Sequence, residues 1–338
     1  MKSELVGPVR RVRSESAQWD LTNEVWQAPE RVTIEEYRKD GKISSSELRC
    51  ETWTHRSSYS YDDAGRLIET RFWNGETLGG WRVNEYDGGR LVRTVGHSPD
   101  GTSKPHERTY APDGSYEQIV HFPEILFNMH VSLGAVEGLD CSIGVPYAKT
   151  MITRYDREDR ACGILIKDGM EREVRRLVVH RDAHGRVMRA EMFADEPPFA
   201  SVPALGVDVP MMSWKFHYDE NGRQIEMKRG MFGLSEERKT NRYDDRGNCI
   251  ETITEDESFE GHVSDEGTLQ RGASQFRRDE SRFTYKYDDR GNWIERVTSH
   301  RHASNPDFTP SLIESREIAY YGPPPVQTSG TGMRLKVA

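Results

Sequence analysis

Three stretches of this chain are almost the same text. Tyr61-Asp62-Asp63-Ala64-Gly65-Arg66-Leu67-Ile68-Glu69, Tyr243-Asp244-Asp245-Arg246-Gly247-Asn248-Cys249-Ile250-Glu251 and Tyr287-Asp288-Asp289-Arg290-Gly291-Asn292-Trp293-Ile294-Glu295 share one core and one exit. Looser copies lie at Tyr37–Gly41, at Tyr86-Asp87-Gly88-Gly89 (one residue shorter), at Tyr110–Gly114, at Asp182–Gly185 and at Tyr218-Asp219-Glu220-Asn221-Gly222. Tyr155-Asp156-Arg157-Glu158-Asp159 is a copy without its Gly. The glycines at 41, 65, 89 and 114 are spaced 24, 24 and 25, and those at 222 and 247 are spaced 25. A fixed period in the range of roughly 20–50 residues marks a repeat architecture.

The unit reads as a β-hairpin. Asp followed three residues later by Gly suits a type I turn, with the Asp side chain accepting a backbone hydrogen bond and the Gly taking positive φ. The run after the Gly is short, β-prone and mixed apolar and polar. Twenty-four residues hold two strands, their turn and a return loop. The expected fold is therefore all-β: about nine antiparallel hairpins in one large sheet that curls or coils, because a sheet of that many twisted strands cannot stay flat. The alternative is a β-propeller in which two repeats build each blade.

The Tyr-Asp-x-x-Gly-Arg-Leu/Ile pattern resembles the YD repeats of the bacterial rearrangement-hotspot (RHS) repeat family, related to those of teneurins. The resemblance runs from about Tyr37 to Val297, with its best copies at 61–69, 218–226, 243–251 and 287–295. It implies a hairpin sheet that coils into a shell, often around a toxin or other cargo domain. This chain is short for a complete shell.

Composition fits a polar sheet. Apolar residues make up 35% and charged residues 30%, too few of the former to fill a thick core. The net charge of −9 argues against nucleic acid, whose phosphates need a basic surface. The amino terminus shows no Sec signal, and the longest uncharged run, 125–136, is too short for a membrane-spanning helix. A cytoplasmic location follows as the expectation, with export by a signal-less route left open. The unbroken period suggests one domain over residues 1–322, followed by an extended or disordered tail at 323–338. Three irregular insertions interrupt it near 122–150, 195–213 and 255–280. The last reads as a mobile loop.

Catalytic chemistry is hard to find. His180 and His184 have metal spacing only on a helix, and here they fall on a repeat turn. The Asp-Asp pairs lack the ligand ladder of a calcium loop. No cofactor and no metal are expected, and an enzyme is not. The expected role is a scaffold or binding module, either RHS-type and cargo-associated or gripping a glycan or peptide on a concave face. Residues two and four past each Gly share a face in a regular strand. That reading puts Tyr116 and Trp293 beside a charged row holding Arg93 and Arg189. The insertion at 195–213 adds Phe199, Leu205, Met211 and Met212 as an adaptable surface for a protein or carbohydrate partner.

Overall fold

The computed structural model describes residues 5–126, 129–133, 135–137, 139, 142–145, 148–194, 210–231, 235–263, 269–302 and 307–322. The first strands are β1 (Val9–Asp20), β2 (Val25–Trp26), β3 (Arg31–Tyr37), β4 (Ile43–Cys50), β5 (Thr54–Tyr61), β6 (Leu67–Asn74), β7 (Thr77–Asp87), β8 (Arg90–His97), β9 (Ser103–Tyr110) and β10 (Tyr116–Leu126). A separate small hairpin follows, β11 (Met129–Ser132) with β12 (Ser142–Val145). The series resumes with β13 (Ala148–Tyr155), β14 (Ala161–Lys167), β15 (Glu173–Arg181), β16 (Val187–Ala194), β17 (Met212–Tyr218) and β18 (Gln224–Met231). It ends with β19 (Ser235–Tyr243), β20 (Cys249–Val263), β21 (Leu269–Tyr287), β22 (Trp293–His302) and β23 (Thr309–Tyr320).

The main sheet holds 21 strands. Of these, β2 is a short flap on the far end of β1. The other twenty pair with their sequence neighbours, antiparallel throughout, with β10 passing over the small hairpin to β13. The ring then closes. β1 pairs with β23 on one side, for example Ser14↔Arg316, and with β3 on the other, Ser14↔Thr33. The fold is thus a closed barrel, not the coiled hairpin array expected from the repeat, and not a propeller. The expectation failed because the amino-terminal strand carries no Tyr-Asp signature, yet it removes both edges that an open array would leave. Unpaired strand edges are what closure abolishes.

Closure also overturns the expected cytoplasmic location. That expectation rested on reading no Sec signal at the amino terminus and no apolar run long enough for a spanning helix. No helix among the described residues is long and apolar enough to cross a membrane, which says nothing of a barrel, and a closed antiparallel ring is the design by which outer-membrane proteins cross with strands.

The hairpin turns form for the reasons the residues suggest. At the 61–66 turn the Gly65 N–H donates to the Asp62 carbonyl at 2.9 Å, and Gly65 sits at φ 76°. The Asp62 Oδ1 accepts the Arg66 N–H at 2.7 Å. This is a type I turn closed by a residue in the left-handed region, a common hairpin connection. In the copy without Gly, Asp159 takes that region itself at φ 64°.

Most of these turns are followed by a bulge, although the hairpins of Gly101 and Gly114 have none. Tyr287 pairs with Trp293, but the preceding Lys286 pairs with Glu295, so Ile294 is an extra residue. The same shift leaves Ser44, Ile68, Val92, Cys162, Met188, Ile225 and Ile250 extra in their hairpins. A bulge of this kind turns the strand by one side-chain position.

Burial is concentrated in one sector. Ile164, Ile166, Leu177, Val187, Met192, Trp214 and Phe216 form a core across β14–β17. Leu133, Val136 and Leu139, from the segment around the small hairpin, pack on it and are almost wholly buried. The rest of the ring is mostly half-buried, as an apolar content of 35% dictates. Residues 255–280 are not a loose loop. Apart from 264–268, they continue β20 and β21 as a long hairpin, with Glu255 paired to Arg278. The expected tail, 323–338, lies outside the described residues.

Candidate functional site

Consecutive hairpins are locked together at the turn rim. In five hairpins the Tyr before the turn donates its hydroxyl to a backbone carbonyl of the preceding hairpin, two residues past that hairpin's Gly. Tyr61 reaches Ile43, Tyr86 reaches Leu67, Tyr110 reaches Leu91, Tyr218 reaches Val187 and Tyr243 reaches Gln224, at 2.7–2.9 Å. Arg181 stands where a Tyr is expected and donates Nη2 to Ala161 O at 2.9 Å, the equivalent carbonyl. The cation after each Gly lies over the ring of the next Tyr: Arg66 over Tyr86 at 4.8 Å, Arg186 over Tyr218 at 5.0 Å and Arg223 over Tyr243 at 5.1 Å.

The turn Asp holds that cation in place. Asp62–Arg66, Asp182–Arg186 and Asp219–Arg223 each bond through Nε at 2.7 Å. Asp156–Arg160 does so at 2.8 Å, and Asp168–Arg172 builds the same clamp on the turn between β14 and β15. The backbone bond from Arg66, opposed by desolvation and aided by the Arg66 side chain, holds the Asp62 carboxyl below its ordinary value. At Asp219, desolvation pushes up, but the bonds from Arg223 outweigh it and the pKa is lowered.

Two hairpins solve the same problem with other residues. Where the post-Gly residue is Asn248, its Nδ2 donates to the Tyr287 hydroxyl at 2.8 Å, and Arg246 from the other side of the Gly covers the ring at 4.1 Å. Asn292 and Arg290 treat Tyr320 in the same way. Burial and the bond to Asp244 push the Tyr287 hydroxyl up to about 12. Asn292 also binds Val6 through both backbone groups, at 2.7 and 3.0 Å. The amino-terminal segment thereby completes the lock across the closure.

The opposite face carries a ladder of alternating charge. Arg238 joins Glu226 at 2.6 Å and Glu255 at 3.7 Å, and Arg278 joins Glu255 at 2.8 Å and Glu280 at 3.0 Å. Arg301 extends the row from Glu280. Opposite charges facing across strands stabilise the pairing modestly.

The bulges separate what a regular strand would have put together. Because Lys286 and Tyr287 face opposite sides, so do their partners Glu295 and Trp293. Trp293 is buried, with Arg316 over its ring at 3.4 Å. Arg93 lies in the charged ladder between Glu85 and Glu107, and Arg189 pairs with Glu191. Tyr116, in a hairpin without a bulge, is 5% exposed and stacks on Tyr155 at 4.6 Å. Met211 and Met212 belong to the core sector. Residues 195–209 of that segment, Phe199 and Leu205 included, lie outside the described residues. His180 faces Glu191 at 3.4 Å, whereas His184 caps the turn tip through its backbone to Asp182.

A cavity of about 550 Å³ opens at the turn rim between the hairpins of Gly89 and Gly114. Tyr86, Arg90, Arg108, Tyr110, Tyr116 and Arg157 line it, with Asp113 and Asp159. Of its lining residues the sequence singled out only Tyr116 for binding, and on other grounds, because no motif marks the cavity. The local signal for the cavity itself was the shortened turn at Gly88-Gly89.

No family model matches the chain, and no curated protein matches it. Solved structures give distant likenesses. A porin-like protein from Bacteroides uniformis aligns over 94% of this chain and 100% of its own at 8% identity, with a TM-score of 0.36. A structure titled TcdB2-TccC3-TEV aligns over 88% of this chain but 19% of its own, at 13% identity and a TM-score of 0.24.

Proposed function

We propose that this chain is a non-enzymatic scaffold, a ring of interlocked hairpins of YD-repeat type that binds a protein or carbohydrate partner. One observation carries the reading. At the turn rim and along the charged face, the groups that could act as acid, base or anion-binder are largely engaged with one another in structural pairs. A catalytic site needs such groups converging on a substrate with shifted proton affinities. Here the shifts belong to locks and turns. The test is capture from the native cell with the whole chain as bait, repeated after replacing residues 195–209, short of the core Met211 and of β17, with a Gly-Ser linker. Loss of a partner with the fold intact supports the reading. A screen that finds turnover, abolished by His180→Ala or His184→Ala, contradicts it.

A second reading, an outer-membrane-type pore, is favoured by the closure of the ring. Against lipid contact stands the distribution of charge. Arg296 and Arg316 lie on the Trp293 face, and Arg238, Arg278 and Arg282 on the other. Each Arg or Lys at mid-bilayer costs about 2–4 kcal/mol. Protease-resistant insertion into lipid vesicles, with ion conductance, would select the pore.

A further inference from the structure

The cavity at the turn rim sits where the repeat breaks its own rule. In the described hairpins, the cation that follows the turn is held by an Asp of the same turn. This is true of Arg66, Arg160, Arg172, Arg186 and Arg223, at 2.6–2.8 Å, and loosely of Lys42, at 3.9 Å. Arg90 is the exception. Its turn is one residue shorter, so Asp87 pairs directly across from Arg90 in the strand register. The spacing that lets the Asp carboxylate reach back to the guanidinium is lost. Among the described residues Arg90 has no carboxylate partner, and its guanidinium rests only over the Tyr110 ring, at 5.5 Å.

The other cations of the cavity are already engaged. Arg108 lies 3.7 Å from Asp159 and over Tyr116 at 4.6 Å, and Tyr116 donates to Asp159. Arg157 binds Glu158 at 2.6 Å. Asp113 accepts from the Ser115 backbone at 3.0 Å and from its hydroxyl. Three arginines therefore face two carboxylates in the lining, and the uncompensated charge is that of Arg90. It lies in a molecule of net charge −9, where a local positive site of this kind stands out.

We propose that this cavity binds a carboxylate, seated on Arg90 where the other hairpins supply their own Asp. A guanidinium accepts a carboxylate through two parallel bonds, stronger than neutral ones. The tyrosines beside it suit a carboxylate carried on a flat or apolar body. The volume admits a small organic acid or the acidic side chain of a peptide. The inference stands apart from the scaffold reading, because a ring that lacks this site still holds its partner elsewhere.

The test is isothermal titration calorimetry on the full chain with benzoate and its neutral counterpart benzamide. A second arm uses acetyl-Ala-Glu-Ala-amide against its Gln analogue. Saturable benzoate binding is expected, with benzamide at least tenfold weaker. Arg90→Gln is expected to weaken benzoate by roughly tenfold or more, since a charged partner is lost. A third protein replaces Asp87-Gly88-Gly89 with the four-residue turn of 62–65. It gives Arg90 an internal carboxylate and is expected to lose binding while keeping its far-UV circular dichroism. Tighter binding of the Glu peptide than of benzoate assigns the ligand to a protein side chain, and the reverse assigns it to a free acid. Equal binding of benzamide, unchanged binding in Arg90→Gln, or no saturable binding overturns the proposal.

Discussion

At the scale of single residues, the turn Asp does two jobs of unequal weight. Its Oδ1 takes backbone N–H groups of the turn, as Asp219 does for Asn221 and Arg223 at 3.0 and 2.8 Å, while its Oδ2 holds the Arg. Exposed ion pairs contribute little, whereas buried backbone donors are costly to leave unmatched. Asp219→Asn is therefore expected to lower the urea midpoint only slightly, and Asp219→Ala to lower it clearly further. The same residues set the pH range. The turn carboxyls, Asp62, Asp156, Asp182 and Asp219 among them, lie below their ordinary value. Their stabilisation is present above about pH 4, the unfolded value, and is lost as pH falls through the lower folded values. The lock tyrosines act at the other limit. Tyr243, Tyr287 and Tyr320, desolvated and the last two bound to Asp, are pushed up to about 12. Their contribution is complete below about pH 10 and disappears as pH rises through the folded value. Thermal melts followed by circular dichroism should show a plateau between those limits, and a midpoint that instead falls steeply near pH 6–7 would refute it.

At the scale of the element, the bulge is as characteristic of the repeat as the turn. Ile250 is extra between Cys249 and Glu251, so Cys249 joins the Tyr243 side and Glu251 joins the side of Arg242. Deleting the paired Thr252, in contrast to the extra Ile250, would slip the rest of β20 by one residue and move Glu255 away from Arg278. Register slips of this kind exchange whole faces. The expected cost is on the order of 4 kcal/mol, read as loss of the cooperative urea transition. The hairpins and their turns were legible in the sequence because Asp, Gly and Tyr act locally. The bulges were not, because an apolar residue such as Ile68 or Ile294 looks like any strand residue until its partner strand is known. That is why Trp293 and Arg93 were read as one surface. The long β20–β21 hairpin was hidden for a similar reason. Its stretch from 255 to 280 is charged enough to resemble a loop, yet the charges are cross-strand partners, as Glu255 and Arg278 are.

At the scale of the whole molecule, the ring depends on a strand that has no repeat signature. β1 has a buried Val12 and Ala17 amid charge, and nothing in that text tells which two strands it joins. Closure is a long-range fact, set by Ser14 meeting both Arg316 and Thr33, so it could not be read from a local pattern. The shortened turn at Gly89 was visible in the sequence, but the cavity it opens needed Arg108 and Arg157 from other hairpins. Removing residues 1–20 should expose the edges of β3 and β23, and size-exclusion chromatography should then show oligomers or aggregates in place of a single species. The most direct test of the closed ring is a cysteine cross-link across the seam. In a chain whose four native cysteines are replaced by Ser, two pairs would be tried: Glu15→Cys with Ser315→Cys, and Ser16→Cys with Glu314→Cys. The pairs are adjacent in the register, so one of them occupies a non-hydrogen-bonded site with the closer approach. Closure predicts that mild oxidation converts at least one pair to an intramolecular disulfide in the monomer, with circular dichroism unchanged. If both pairs stay reduced, or form only links between chains, the ring is open.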